Sequence, residues 1–138
     1  MSVFTASLLA VAKEVPELRR AVREHLGEPC PEVELCVSEL LANVITHVGE
    51  GTPVTVLITS ANGLVHVQVT DPDPRALPTL RSADPDDEGG RGLALLDAVA
   101  LRWGVVPGPG RKTVWCELPA VRPGPVFRPE SVGVCRQD

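Results

Sequence analysis

"TPVTVLITSANGLVHVQVTD", residues 52 to 71, decides the fold. Val54, Val56 and Ile58 alternate with Thr55, Leu57 and Thr59; beyond "ANG", Val65, Val67 and Val69 alternate with His66, Gln68 and Thr70. Period-two patterning split by Asn-Gly predicts an antiparallel hairpin with one well-defined apolar face. That face must be covered, so the flanking sequence is expected to supply helices.

Upstream, "VFTASLLAV" (residues 3 to 11) reads as a first strand. "EVPELRRAVREHLG" has helical spacing at Val15, Leu18, Val22 and Leu26, with Gly27 as the stop. A second helix is predicted from about Pro31 to Val48, ended by "GEGTP". Downstream, Pro72 to Gly92 shows no apolar periodicity, holds Pro72, Pro74, Pro78 and Pro85, and clusters Asp84, Asp86, Asp87 and Glu88. A loop this long inside a compact domain is either a lid over a binding site or a solvated connector. A third helix is expected from about Leu93 to Trp103, with Leu93, Leu96, Val99, Ala100 and Trp103 on one stripe. "GVVPGPGR" then reads as a short strand and turn, and "KTVWCEL" as the last strand. The order β-α-α-β-β-loop-α-(β)-β predicts an α/β two-layer sandwich: a mixed, mostly antiparallel sheet with helices on one face. Residues 1–118 form the expected domain, and 119–138, with Pro119, Pro123, Pro125 and Pro129, an extended tail.

Bulk properties narrow the function. A chain of 138 residues suits one core that buries about two-thirds of the unfolded surface. The net charge of −5 repels phosphate backbones, which argues against a direct nucleic-acid partner. No apolar run approaches the roughly 20 residues of a membrane span, and the start lacks the basic region of a secretory signal, so the expectation is a cytoplasmic protein without a membrane partner. Cys30, Cys36, Cys116 and Cys135 show no C-x-x-C spacing and are expected to be reduced, mostly buried thiols.

The chemistry is expected in three places. On the second helix, "SELLANVITHV" keeps Glu39, Asn43 and His47 in line, four residues apart, opposite an apolar arc of roughly 140°. No Lys or Arg occurs between Arg23 and Arg75 to answer them, and Leu35, Cys36 and Ala42 edge the stripe. Such a stripe is either a solvent face or, since it is semi-apolar and its acceptor pair is uncompensated, a cleft wall that holds a metal or activates water. Second, period two carried from Val65 through Val69 puts Asp71 on the apolar face, where a carboxylate costs several kcal/mol unless hydrogen-bonded. Its partner is either a backbone amide or the exocyclic amine of a bound base. Third, "EGGRGLALL" runs Gly89, Gly90 and Gly92 into a helix start, a backbone suited to phosphate. No G-K-[ST] follows, so it is not a Walker A loop.

Taken in order, "SELLANVITHV", "VQVTDPDP", "GGRGLALLDAVALRWGV" and "KTVW" resemble the N, G1 and G2 boxes and closing strand of the GHKL ATPases, the superfamily of histidine kinases, gyrase and heat-shock chaperones. Within it the chain looks most like the stand-alone bacterial anti-sigma-factor serine/threonine kinases, over roughly Val3 to Leu118. The resemblance implies ATP and Mg²⁺ as cofactors, Glu39 as general base, Asn43 as metal ligand and Asp71 as acceptor of the adenine amine. It also implies nucleotide contacts from Gly90, Gly92 and Leu93, with Arg91 either on phosphate or in solvent, and a polar contact near the base from Thr113. His47 matches a histidine often found after the Asn, at the cleft rim. The partners it implies are a STAS-type anti-anti-sigma protein, a sigma factor and a second copy of the chain. One departure stands out: "DPDPRALP" places Asp73 and Arg75 where the G1 glycines would be, and the prolines stiffen that turn.

Overall fold

The computed structural model describes residues 2–74 and 96–120. Five strands, β1 (Ser2–Ala10), β2 (Thr52–Ala61), β3 (Leu64–Asp71), β4 (Arg102–Gly108) and β5 (Arg111–Pro119), form one sheet in the order β1-β2-β3-β5-β4. Every pairing is antiparallel. Two helices, α1 (Glu14–Leu26) and α2 (Pro31–His47), lie on one face, giving the two-layer α/β sandwich that the hairpin required.

Local chemistry sets the boundaries. Asn62 and Gly63, both at positive φ (56° and 79°), make the two-residue turn between Ala61 and Leu64, and thereby fix the β2–β3 register. Gly27 ends α1 in the left-handed region at φ 83°, donating its N–H to the Arg23 carbonyl. Pro31 opens α2, where a missing N–H costs nothing. Glu34 then reaches back: its carboxylate accepts from the Cys30 amide and takes a two-pronged ion pair from Arg23. That contact ties α2 to α1 and holds the Glu34 carboxyl below the usual range, chiefly through the Arg23 hydrogen bonds.

The core is aliphatic. Val54, Val56 and Ile58 of β2, Val65, Val67 and Val69 of β3, and Val114, Cys116 and Leu118 of β5 meet Val33, Val37, Leu40, Leu41 and Val44 of α2. Cys30, Cys36 and Cys116 are free thiols and buried, while Cys135 lies outside the described residues. The hydrogen bond it shares with Cys36, with burial second, pushes the Cys116 thiol far up.

One element differs from expectation. The third helix does not extend to Trp103: residues 96–99 are helical, and β4 begins at Arg102. The Leu101 amide already bonds the Glu117 carbonyl, and Trp103 pairs with Cys116 across the ladder. The β-preferring run "WGVV" thus joins β5 rather than prolonging the apolar stripe of a helix. Pro107 is tolerated because β4 is an edge strand. The start of that helix, most of the long loop and residues 121–138 lie outside the described residues.

Candidate functional site

The site is built where the C-terminal half of α2 crosses the ends of β3 and β5. Packing of Leu40, Leu41 and Val44 against the sheet fixes the rotation of α2 and leaves Glu39, Asn43 and His47 on a stripe the sheet does not cover. Glu39 and Asn43 are half-buried; His47 is exposed. Asn43, Val44 and His47 of α2, Val69 and Asp71 of β3, and Lys112 of β5 line a narrow cleft of about 10 Å³, the room of roughly one water. Glu39 sits one turn earlier along α2 and does not line it.

Two features of the α2 stripe point outward to a guest. The Asn43 Nδ2 group is buried without a hydrogen-bond partner, which folded proteins seldom leave uncorrected. Burial alone pushes the Glu39 carboxyl up, and no described residue forms an ion pair with it. Among the described residues no three His, Cys, Asp or Glu side chains converge into a metal cage. Mg²⁺ does not need one: it keeps several waters and takes one or two protein ligands plus phosphate oxygens, a donor set that a neutral Asn43 amide fits.

Asp71 is buried, at 2% exposed, on the apolar face as its period predicts. Of the two partners left open by the sequence, the main chain is there: the Asp73 amide donates to Oδ1 at 2.8 Å. The sequence reading missed a third. Lys112, directly opposite Asp71 in the β3–β5 register and 3% exposed, places Nζ 3.1 Å from Oδ1 and 2.8 Å from Oδ2. The same ammonium donates to the Asp73 carbonyl at 3.1 Å. Oδ2, though close to the ammonium, receives no directed hydrogen bond. The signal was legible, since counting back by two from Leu118 through Cys116 and Val114 puts Lys112 on the buried face.

The same count places Thr113. As the neighbour of an inward Lys112 it lies on the opposite face, where its hydroxyl meets that of Thr70 at 2.8 Å. It therefore does not adjoin the Asp71 carboxylate. Asp73 contributes its main-chain N–H and C=O to the Asp71–Lys112 arrangement. Gly90, Arg91, Gly92 and Leu93 lie outside the described residues. The structure thus brings together Asn43, His47 and Asp71, adds Lys112, and sets Glu39 just beyond them.

With this geometry in hand, the chain can be set beside known proteins. Residues 4–116 match the family model described as histidine kinase-like ATPase domain. An uncharacterized protein of Streptomyces coelicolor is 53% identical over 89 residues, 63% of this chain and 84% of that protein. Among solved structures, the RsbU and RsbW domains of Rv1364c from Mycobacterium tuberculosis superimpose with a TM-score of 0.66 at 19% identity. The match covers 93% of this chain and 35% of that one, so this chain spans about a third of the solved protein and shares its fold there.

Proposed function

Because the chain belongs to the histidine kinase-like ATPase family, we propose that it is an ATP- and Mg²⁺-dependent regulatory protein serine/threonine kinase of the anti-sigma-factor type. Its substrate would be a serine or threonine of a STAS-type anti-anti-sigma protein, its alternate partner a sigma factor, and its place the cytoplasm. No helix among the described residues is long and apolar enough to cross a membrane, which agrees with that location. The observation that carries the proposal is the α2 stripe. A carboxyl raised by burial and, among the described residues, without a cation stands one turn from an amide whose Nδ2 lacks a partner among them. Neither is explained by packing, and both are supplied by a metal-bound triphosphate.

In this reading Glu39 orients the substrate hydroxyl and accepts its proton, for which a raised carboxyl is better matched than a fully solvated one. Asn43 would hold the metal through its amide oxygen and, being neutral, would add no charge beside the phosphates. Bound Mg²⁺ would neutralise charge on the transferring phosphoryl group. Asp71 would mark the nucleobase end of the cleft, and Gly90, Arg91 and Gly92, which lie outside the described residues, are proposed for the phosphates.

The test is direct. The purified protein is mixed with its STAS-type partner and γ-labelled ATP: label should pass to the partner with wild type and not with Glu39→Ala. Equal labelling by both, or none with wild type, ends the kinase claim.

A second reading is favoured by one observation, the buried Asp71–Lys112 pair. If that pair stays shut, the domain is a partner-binding module that nucleotide merely tunes, and no phosphoryl group moves. An affinity for the partner that changes with nucleotide but not with Mg²⁺ would select it.

A further inference from the structure

A buried ammonium bonded to the carboxylate that marks the base end of the cleft has no role in the mechanism above. Lys112 and Lys13 are the chain's lysines, and Lys112 is the buried one. Its Nζ donates to Asp71 Oδ1 and to the Asp73 carbonyl and lies 2.8 Å from Asp71 Oδ2. These are acceptors on one short stretch of backbone, the end of β3 and the turn after it. An ammonium and an exocyclic amine offer the same thing, N–H donors, and the ammonium adds a charge that makes its bonds to a carboxylate the stronger.

We propose that Lys112 is a latch that competes with the nucleobase for Asp71, so that an amine-bearing base binds only when Lys112 leaves the carboxylate. The proposal rests on the nucleotide reading given above and specifies which residue sets its affinity. Three observations carry it together. The register places Lys112 opposite Asp71, so the contact is built into the β3–β5 ladder rather than into a wandering surface side chain. Both residues line the same cleft as Asn43. The turn that holds the third acceptor, Asp73, is the stretch "DPDP", in which Pro72 and Pro74 restrain the backbone and keep the Asp73 carbonyl aimed at the ammonium. A lysine stem is long and has many rotamers, so the latch opens without moving the strands.

The latch predicts a specific pattern of affinity. In the wild type the amine must displace Lys112 to reach Asp71, so ATP binds weakly and only slightly better than inosine triphosphate, which lacks the exocyclic amine. In Lys112→Met the carboxylate is freed, and ATP gains about tenfold or more, the worth of a hydrogen bond to a charged acceptor, while inosine triphosphate does not. Isothermal titration of both proteins with both nucleotides in Mg²⁺ reads this out. An ATP affinity within twofold of wild type, or an equal gain for the two nucleotides, overturns the latch and leaves the nucleotide reading standing. Absence of nucleotide binding by wild type and variant alike, at millimolar concentration, overturns both. Since the variant leaves a buried carboxylate and could fail to fold, a second measurement uses the wild-type chain. Amine-directed acetylation with mass-spectrometric readout should find Lys112 protected relative to Lys13 without nucleotide and more reactive with saturating ATP. Unchanged protection of Lys112 when ATP is bound refutes the latch.

Discussion

The two faces of the sheet treat polar groups in opposite ways. On the face without α1 and α2, polar side chains sit at half-exposed positions and answer one another across adjacent strands. Glu117 of β5 takes Arg102 of β4 at 2.8 Å and His66 of β3 at 3.0 Å, Thr70 meets Thr113, and His66 stacks on Trp115. On the helix face the polar groups are deeper, yet their arrangement is incomplete. Asn43 leaves Nδ2 bare, Oδ2 of Asp71 lacks a directed bond, and an ammonium is buried to meet it. Because unpaired polar atoms cost most where water is least available, a fold selected only for stability would have reversed this distribution. The difference teaches that polar groups facing α2 are left open while those on the opposite face complete one another across the strands.

The largest effect should come from stranding the buried ammonium. Asp71→Ala is expected to lower stability in urea by about 3–5 kcal/mol, because it leaves Lys112 uncompensated. Replacing the pair together, Asp71→Leu with Lys112→Met, should recover most of that loss, since apolar residues of similar volume replace buried ion pairs at little cost. A double variant as unstable as the single one would mean that the pair organises the end of β3 instead of merely filling it.

On the face away from α1 and α2 a glycine is the position to change. Gly104 lies opposite Trp115, and a Cβ there would stand 3.0 Å from the indole Nε1 and 3.1 Å from Cε2 and Cζ2. Gly104→Ala is therefore expected to push the ring off His66 and to cost about 1–2 kcal/mol. Urea unfolding and Trp115 fluorescence in a Trp103→Phe background measure both consequences. If the indole emission and stability are unchanged, this face is less tightly built than the comparison requires.

A smaller effect, of opposite sign, belongs to Glu39. Its folded pKa is raised, so the folded protein binds the proton more tightly than the unfolded chain does. Stability therefore falls as pH rises from the ordinary carboxylate value through the raised one. Glu39→Gln should abolish that slope and stabilise the protein at neutral pH by less than about 1 kcal/mol, the residue being only half-buried. The same change should cut labelling of the partner by about a hundredfold or more. A variant both less stable and fully active would make Glu39 a structural residue.

Much of this was legible in the sequence because it followed from periods. Alternation in 52–71 fixed the hairpin, the face of Asp71 and, with α1 and α2, the two layers. What escaped was decided by pairing between distant segments. Trp103 satisfies the stripe of a helix and the pleat of a strand equally well, and only the hydrogen bonds of β5 resolve it. Lys112 was read through its motif neighbour Thr113, although period two assigned the two to opposite faces. Nothing local marks Glu34, whose place is decided by the packing of α1 on α2 that brings Arg23 to it. The glycine turn at 90–92 lies outside the described residues, so its role stays with the proposal.

The smallest effect is also the one that separates the two faces most cleanly. The Arg102 guanidinium first and His66 second hold the Glu117 carboxyl below its usual range. A depressed folded pKa means that the stabilisation is present above the unfolded carboxylate value, near 4.3, and is lost as pH falls through the lower folded value. Arg102 is 68% exposed, so solvent screens the pair and Glu117→Gln should cost less than about 1 kcal/mol at neutral pH. The difference between wild type and this variant should shrink on acidification and again on raising salt to about 0.5 M, where the screening length is only a few ångströms. The Asp71–Lys112 pair, shielded from ions by its burial, should lose little in the same salt titration. Parallel salt dependence of the two pairs would show that water reaches the cleft pair as freely as the surface one, and the contrast between the faces would then be one of sequence and not of environment.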